Sequence, residues 1–222
     1  MLTIGELMMS GQVQPKEKEL APPIFLFGEY ELRLPAGFDP TNREQFFQVC
    51  QTNRPLGLER NSEGRLCVTM PTGGRTGNRN SELNYQLMAW SRQSCLGYVF
   101  DSNTGFELPN GAMRAPDAAW VSRGRLDTIP EAQREKFLPI APEFVIELRS
   151  DSDRLPPLKT KMQEYLTAGV SLALLLDPAS QKVYIYRPGA AMVELDNPAT
   201  LDCSPELPGF VLELEPIFNP QI

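Results

Sequence analysis

Asp117 and Glu147 are the residues whose type and setting point most directly to chemistry. Asp117 follows a proline in Ala115-Pro116-Asp117-Ala118-Ala119-Trp120-Val121, and Glu147 lies inside the apolar run Phe144-Val145-Ile146-Glu147-Leu148. A carboxylate flanked by Val145, Ile146 and Leu148 is costly to bury unless a cation or a hydrogen-bonded partner meets it. Two carboxylates at strand ends or edges suit a hard divalent cation, because Mg²⁺ is typically bound by one or two carboxylates and keeps several waters. Basic groups lie close by: Arg149 follows Glu147 by two residues, and Lys159 and Lys161 sit in the next helical segment. The plainer alternative is a structural ion pair between Glu147 and Arg149 or a lysine, with Pro116-Asp117 as a simple turn.

Composition narrows the chemistry further. The chain of 222 residues contains no histidine. That excludes Ser-His-Asp and Cys-His nucleophilic catalysis and every imidazole metal site. Acid–base or metal chemistry must come from Asp, Glu, Lys, Tyr and water. Cys50, Cys67, Cys95 and Cys203 are scattered without a CxxC pair, so zinc-site spacing is missing and buried reduced thiols are expected. A net charge of −7 argues against broad nonspecific binding to nucleic acid, which depends on neutralising phosphates. Arg114 to Lys161 holds nine basic and eight acidic residues, a more balanced stretch than the whole but no basic patch. No apolar run is long enough to span a bilayer, and residues 1–20 lack signal-peptide character, so a cytoplasmic location is expected.

The elements that must position these residues follow from periodicity. Residues 1–23 read as a polar N-terminal arm, and 24–222 as a single domain, a length that supports one full core. Ile24 to Leu34 alternates in part, as an edge strand does. Thr41-Asn42-Arg43-Glu44 reads as a capping box opening a helix to about Gln51. Leu56–Glu59 and Arg65–Met70 flank Asn61-Ser62-Glu63-Gly64 as a β-hairpin. Gly73-Gly74-Arg75-Thr76-Gly77 has no Gly-Lys-Ser/Thr after it and reads as a flexible entry loop to a helix over 80–93. Leu83, Leu87, Met88 and Trp90 share one face of that helix, and Glu82 lies near its start, where a carboxylate favours the macrodipole.

Further on, 97–100 and 105–108 flank a turn at 101–104, and Asn110-Gly111 turns into a strand over 113–121 that carries Asp117. Residues 122–142 read as a loop with a short helix. A helix over 158–168, a buried strand over 171–176 and a strand over 182–186 complete an α/β (α+β) core with a mixed sheet. Alternation puts Glu147 on the face of Val145, and Asp117 on the face of Ala119 and Val121. On the 158–168 helix, Leu158, Met162, Tyr165 and Leu166 define the inward stripe. Lys161 lies about 40° from Tyr165, toward the sheet, and Lys159 reads as a solvated surface charge.

The segments MRAPDAAWVS, PEFVIELRSDSD, KMQEYLTAGVSLALLLDP, VYIYRPG and LPGFVLELEPIF occur in that order. Together they resemble the Uma-two family of restriction-endonuclease-like proteins, in the PD-(D/E)XK nuclease superfamily, from about residue 40 onward. The resemblance implies a restriction-endonuclease-like mixed central β-sheet flanked by helices, with an N-terminal β-hairpin extension. It implies a Mg²⁺-dependent DNA endonuclease, with Mn²⁺ as substitute, acting as a homodimer. Asp117, Glu147 and the Leu148 carbonyl would hold the metal; Lys161 would orient water or stabilise the transition state, and Glu82 would reach the same water network. The superfamily's lysine position, two after the glutamate, holds Arg149, which stabilises phosphate charge but cannot act as a base. A catalytically silent interaction module of the same fold, or a carboxylate-based hydrolase of another ester, are the alternatives these residues leave open.

Overall fold

The computed structural model describes residues 24–27, 30–54, 56–69 and 72–222; the arm expected over 1–23 lies outside them. The chain divides into two compact units, Met1–Phe38 and Asp39–Ile222. In the first, β1 (Ile24–Phe27) and β2 (Tyr30–Arg33) form an antiparallel two-stranded sheet rather than one edge strand, pairing Ile24 with Arg33 and Phe27 with Tyr30.

The second unit runs α1 (Arg43–Thr52), β3 (Gly57–Arg60), β4 (Leu66–Thr69), α2 (Gly74–Ser94), β5 (Gly97–Asp101), β6 (Phe106–Glu107), β7 (Met113–Arg114) and β8 (Ala118–Ser122). It continues through α3 (Arg123–Leu126), α4 (Glu131–Arg134), β9 (Phe144–Leu148), α5 (Leu155–Thr167), β10 (Leu172–Asp177) and β11 (Lys182–Tyr186). It ends with β12 (Val193–Asp196), β13 (Thr200–Asp202), β14 (Val211–Glu213) and α6 (Glu215–Phe218). The central sheet has the order β12-β11-β10-β9-β8-β5, and a second sheet the order β4-β3-β7-β6. Only β9 and β10 pair in parallel within the central sheet, and α5 is the crossover that such a pair requires. This is the mixed sheet flanked by helices that the sequence pattern predicts.

Period-2 alternation sorts the central strands onto two cores. Ala118, Trp120, Phe144, Ile146, Leu174 and Val183 pack with Leu83, Leu87 and Trp90 of α2 and with the C-terminal segment. Ala119, Val121, Val145, Ala173, Leu175 and Tyr184 pack on the other face with Met162 and Tyr165 of α5. β9 and β10 are buried along their whole length, as near-continuous apolar runs predict. Met88, expected inward, is 36% exposed, because it lies off the stripe of Leu83, Leu87 and Trp90.

Other expectations need correction. The cap of α1 is Asn42 rather than Thr41: its side chain accepts from Gln45 N, and Gln45 Oε1 accepts from Asp39 N. The Gly73–Gly77 stretch is helix rather than loop, with Gly73 as N-cap and Gly77 N–H donating to Gly73 O. Tertiary anchoring outweighs the glycine cost, which is ~1 kcal/mol per residue. Arg79 donates to the carbonyls of Ile217 and Phe218 and pins this turn to the C-terminus. β5 does not pair with β6; it pairs with β8, while β6 joins the second sheet. The strand expected over 113–121 breaks at Ala115-Pro116-Asp117, where Pro116 has no N–H to give a ladder. β7 enters one sheet and β8 the other, and Asp117 sits in the break between them.

Candidate active site

Because Asp117 precedes β8, neighbouring hydrogen bonds rather than strand alternation hold it. Extending the β8–β9 register, in which Ala118 faces Ile146, by one position sets Asp117 opposite Glu147. Its Oδ2 accepts from Leu148 N at 2.7 Å and its Oδ1 from Asn80 Nδ2 at 3.1 Å. Asn84, one turn along α2, donates to the Asp117 main-chain carbonyl at 3.0 Å. Burial raises the Asp117 carboxyl above its ordinary range, against the opposing pull of the Leu148 N–H, Lys161 and Asn80. The amide oxygens of Asn80 and Asn84 are buried without a hydrogen-bond partner. Two unpaired acceptors beside a half-buried carboxylate leave room for a donor or a cation.

Glu147 is 5% exposed and faces α5. Its Oε1 accepts from Tyr165 Oη at 2.7 Å and meets Lys161 Nζ at 2.8 Å. Burial pushes this carboxyl up to about 7; Lys161 pulls it down, and the charges of Asp117 and Glu59 push it up again. Lys161 goes the other way. Burial disfavours its ammonium, but Glu147 and Glu59 outweigh that and raise its pKa above the ordinary lysine value. Tyr165 is raised by burial and by the Glu147 charge, so it remains a donor.

The second sheet supplies a third carboxylate. Glu59 Oε1 accepts from Lys161 Nζ at 2.9 Å and from Ala115 N at 3.0 Å, and its Oε2 meets Arg114 Nη1 at 3.0 Å. Burial raises the Glu59 carboxyl, but Lys161 and Arg114 outweigh it, and the net shift is downward. Arg114 also pairs with Glu164, and Glu164 accepts from Asn110 and from Ser62 N. Among the described residues, Glu147, Glu59 and Glu164 pair with Lys161 and Arg114, and the Lys161 charge also acts on Asp117; with all ionised, four carboxyls against two cations would leave two negative charges in excess.

Glu82 and Arg149 are not brought to this cluster. The Glu82 carboxylate accepts from Gln86 Nε2, and Gln86 in turn bonds the main chain of Glu213. Residues two positions apart on a helix are turned by about 200°, so a helix that turns Asn80 and Asn84 to Asp117 turns Glu82 away. Arg149 is tied to Asp177 Oδ2 at 2.6 Å and to Asp153 O at 3.1 Å, beyond the end of β9. Lys159 is not a free solvated charge; its ammonium lies over the Tyr184 ring, 4.1 Å from the centroid. Glu59, Arg114, Asn80 and Asn84 are the members that pattern reading passed over. The available signals were a charged Glu59-Arg60 pair in a strand ending an apolar run, and two asparagines at i, i+4 on the α2 face.

Among the described residues, no three Asp, Glu or Cys side chains cluster as a ready-made ligand cage. A divalent cation here would therefore rely on two carboxylates, a main-chain carbonyl and waters, the oxygen-only set that Mg²⁺ accepts. The excess of two negative charges and the raised Asp117 and Glu147 carboxyls fit such an ion, since a dication would neutralise the group. No helix among the described residues is long and apolar enough to cross a membrane.

A solved structure, a "putative nuclease belonging to DUF820" from Anabaena variabilis, superposes with a TM-score of 0.63 at 18% sequence identity. The match covers 73% of this chain and 89% of that one, and shows that the two share a fold. No curated protein sequence matches the chain. The family model Uma2, described as "Putative restriction endonuclease", matches residues 43–215, a span that holds every member of the cluster around Asp117 and Glu147. The chain belongs to the Uma2 family, the Uma-two family its ordered segments resemble, and has its restriction-endonuclease-like fold.

Proposed function

We propose that this chain is a Mg²⁺-dependent endonuclease that hydrolyses phosphodiester bonds of DNA, with Mn²⁺ able to substitute. The observation that carries the reading is the pair of carboxyls at Asp117 and Glu147, both raised by burial, with a lysine ammonium fixed 2.8 Å from Glu147. Asp117, Glu147 and the Leu148 carbonyl are the ligands. When bound there, the cation supplies charge neutralisation at the scissile phosphate and a water of lowered pKa. Lys161 donates hydrogen bonds toward that water or a phosphate oxygen, and its raised pKa makes it a fixed cation rather than a base. Tyr165 orients Glu147 by donating to Oε1. Glu82 and Arg149 take no part in this reading, because both are held elsewhere. A cytoplasmic homodimer completes the proposal, and sedimentation equilibrium tests the dimer.

One observation favours a second reading, a catalytically silent interaction module. Glu59, Glu147, Arg114 and Lys161 already form a connected ion-pair network without any added ion. Incubating supercoiled and linear DNA with the protein in Mg²⁺ and in EDTA separates the two. The nuclease reading expects nicking only with Mg²⁺, lost in Asp117→Asn. No cleavage of any DNA or RNA form, with identical melting in both buffers, favours the silent module.

A further inference from the structure

We propose that Glu59, carried in by the second sheet, is a positioning residue that keeps the Lys161 ammonium in the site when Glu147 turns to the cation; this inference rests on the nuclease reading. Glu147 presents one oxygen, Oε1, to both Tyr165 and Lys161. A carboxylate recruited to a dication shares that charge, so a lysine held by Glu147 alone would be free to swing away. Glu59 supplies a second hold at 2.9 Å on the same ammonium.

Glu59 is itself fixed by two further groups, one of them clamped in turn. Arg114 Nη1 holds Oε2, Ala115 N–H holds Oε1, and Glu164 clamps Arg114 from α5. Its strand is set by pairing Arg60 with Met113 of β7, which places Glu59 beside the Ala115 N–H two residues before Asp117. The segment that delivers Asp117 thus also anchors the partner of Lys161. At 7% exposure Glu59 is not a solvated surface charge, and its carboxylate is taken up by Lys161, Arg114 and the Ala115 N–H.

The test compares wild type, Glu59→Gln, Glu59→Asp, Lys161→Met and the Glu59→Gln/Lys161→Met pair. The ¹H–¹⁵N signal of the lysine ammonium, assigned by its loss in Lys161→Met, is recorded with and without Mg²⁺. A held ammonium keeps a sharp signal in wild type in both conditions. In Glu59→Gln the signal should broaden or vanish once Mg²⁺ is added, and Glu59→Asp, one methylene shorter, should fall between. In cleavage, Glu59→Gln should lower kcat by about 100-fold with KM unchanged, the cost of misplacing a catalytic group. The double variant should be no slower than Lys161→Met alone. Should Glu59→Gln not fold, Glu59→Asp carries the same comparison. A signal and a kcat that are both unchanged in either variant overturn the proposal, as does a loss of kcat that simply adds to that of Lys161→Met. Wild type that cleaves nothing defeats the nuclease reading, and the ammonium signal then decides the role of Glu59 alone.

Discussion

At the scale of single residues, burial sets the chemistry of the site. Glu147 is held at about 7 against an ordinary 4.5, chiefly by desolvation. Below pH 4.5 the group is protonated in both folded and unfolded chains and contributes nothing. As pH rises from 4.5 to 7 the unfolded chain loses this proton while the folded one keeps it, so stability falls. Above 7 the loss is constant. Glu147→Gln should flatten this part of the stability-versus-pH curve, read by chemical unfolding between pH 4.5 and 8; an unchanged slope would mean Glu147 is not the group responsible. A cation competes with the same proton, so Mg²⁺ affinity should climb with pH up to about 7 and then level off. Asp117→Asn keeps the shape and removes the charge. It should cut cleavage by about 100-fold or more while the apo protein melts no lower than wild type. A clearly lower melt would instead mark Asp117 as a structural ion.

At the scale of elements, the site is built where two sheets meet. The break before β8 sets Asp117 on the Leu148 N–H at the end of β9, next to Glu147, while α5 brings Lys161 and β3 brings Glu59. The edge strand β5 closes against β8 only because Gly97 has no side chain. A Cβ there would collide with the Val121 carbonyl and come within 2.6 Å of the Trp120 ring. The Val121 carbonyl cannot withdraw without breaking the ladder, so Gly97→Ala should destabilise by about 1–3 kcal/mol in a denaturant melt. A wild-type midpoint would contradict this account of the β5–β8 pairing.

This scale also shows what was legible in the sequence. β9, β10 and β11 stood out because both faces of the first two are apolar. Lys161 could be chosen over Lys159 because helical phase points it at the sheet. Asp117 was visible as a residue, but its setting was not: Pro116 splits a strand into two sheets, a decision made by tertiary pairing. Glu59 was hidden for the same reason, since its partners lie 55 and 102 residues away. The helical start at Gly74 depends on Arg79 reaching the last turn of the chain, which no local propensity records.

At the scale of the whole molecule, the charge balance shapes how substrate is met. With a net charge of −7 and an acidic site, a nucleic-acid backbone is repelled rather than attracted. Fluorescence polarisation should therefore find little binding to duplex DNA in EDTA at physiological salt, and a complex once Ca²⁺ or Mg²⁺ is present. Tight binding in EDTA would place the affinity elsewhere on the surface. If Asp117 and Glu147 share one cation, a crystal soaked in Mn²⁺ will reveal it. An anomalous peak about 2.0–2.3 Å from oxygens of both carboxylates and near the Leu148 carbonyl is the predicted result. A map with no peak there, and Glu147 still closed on Lys161, would contradict it.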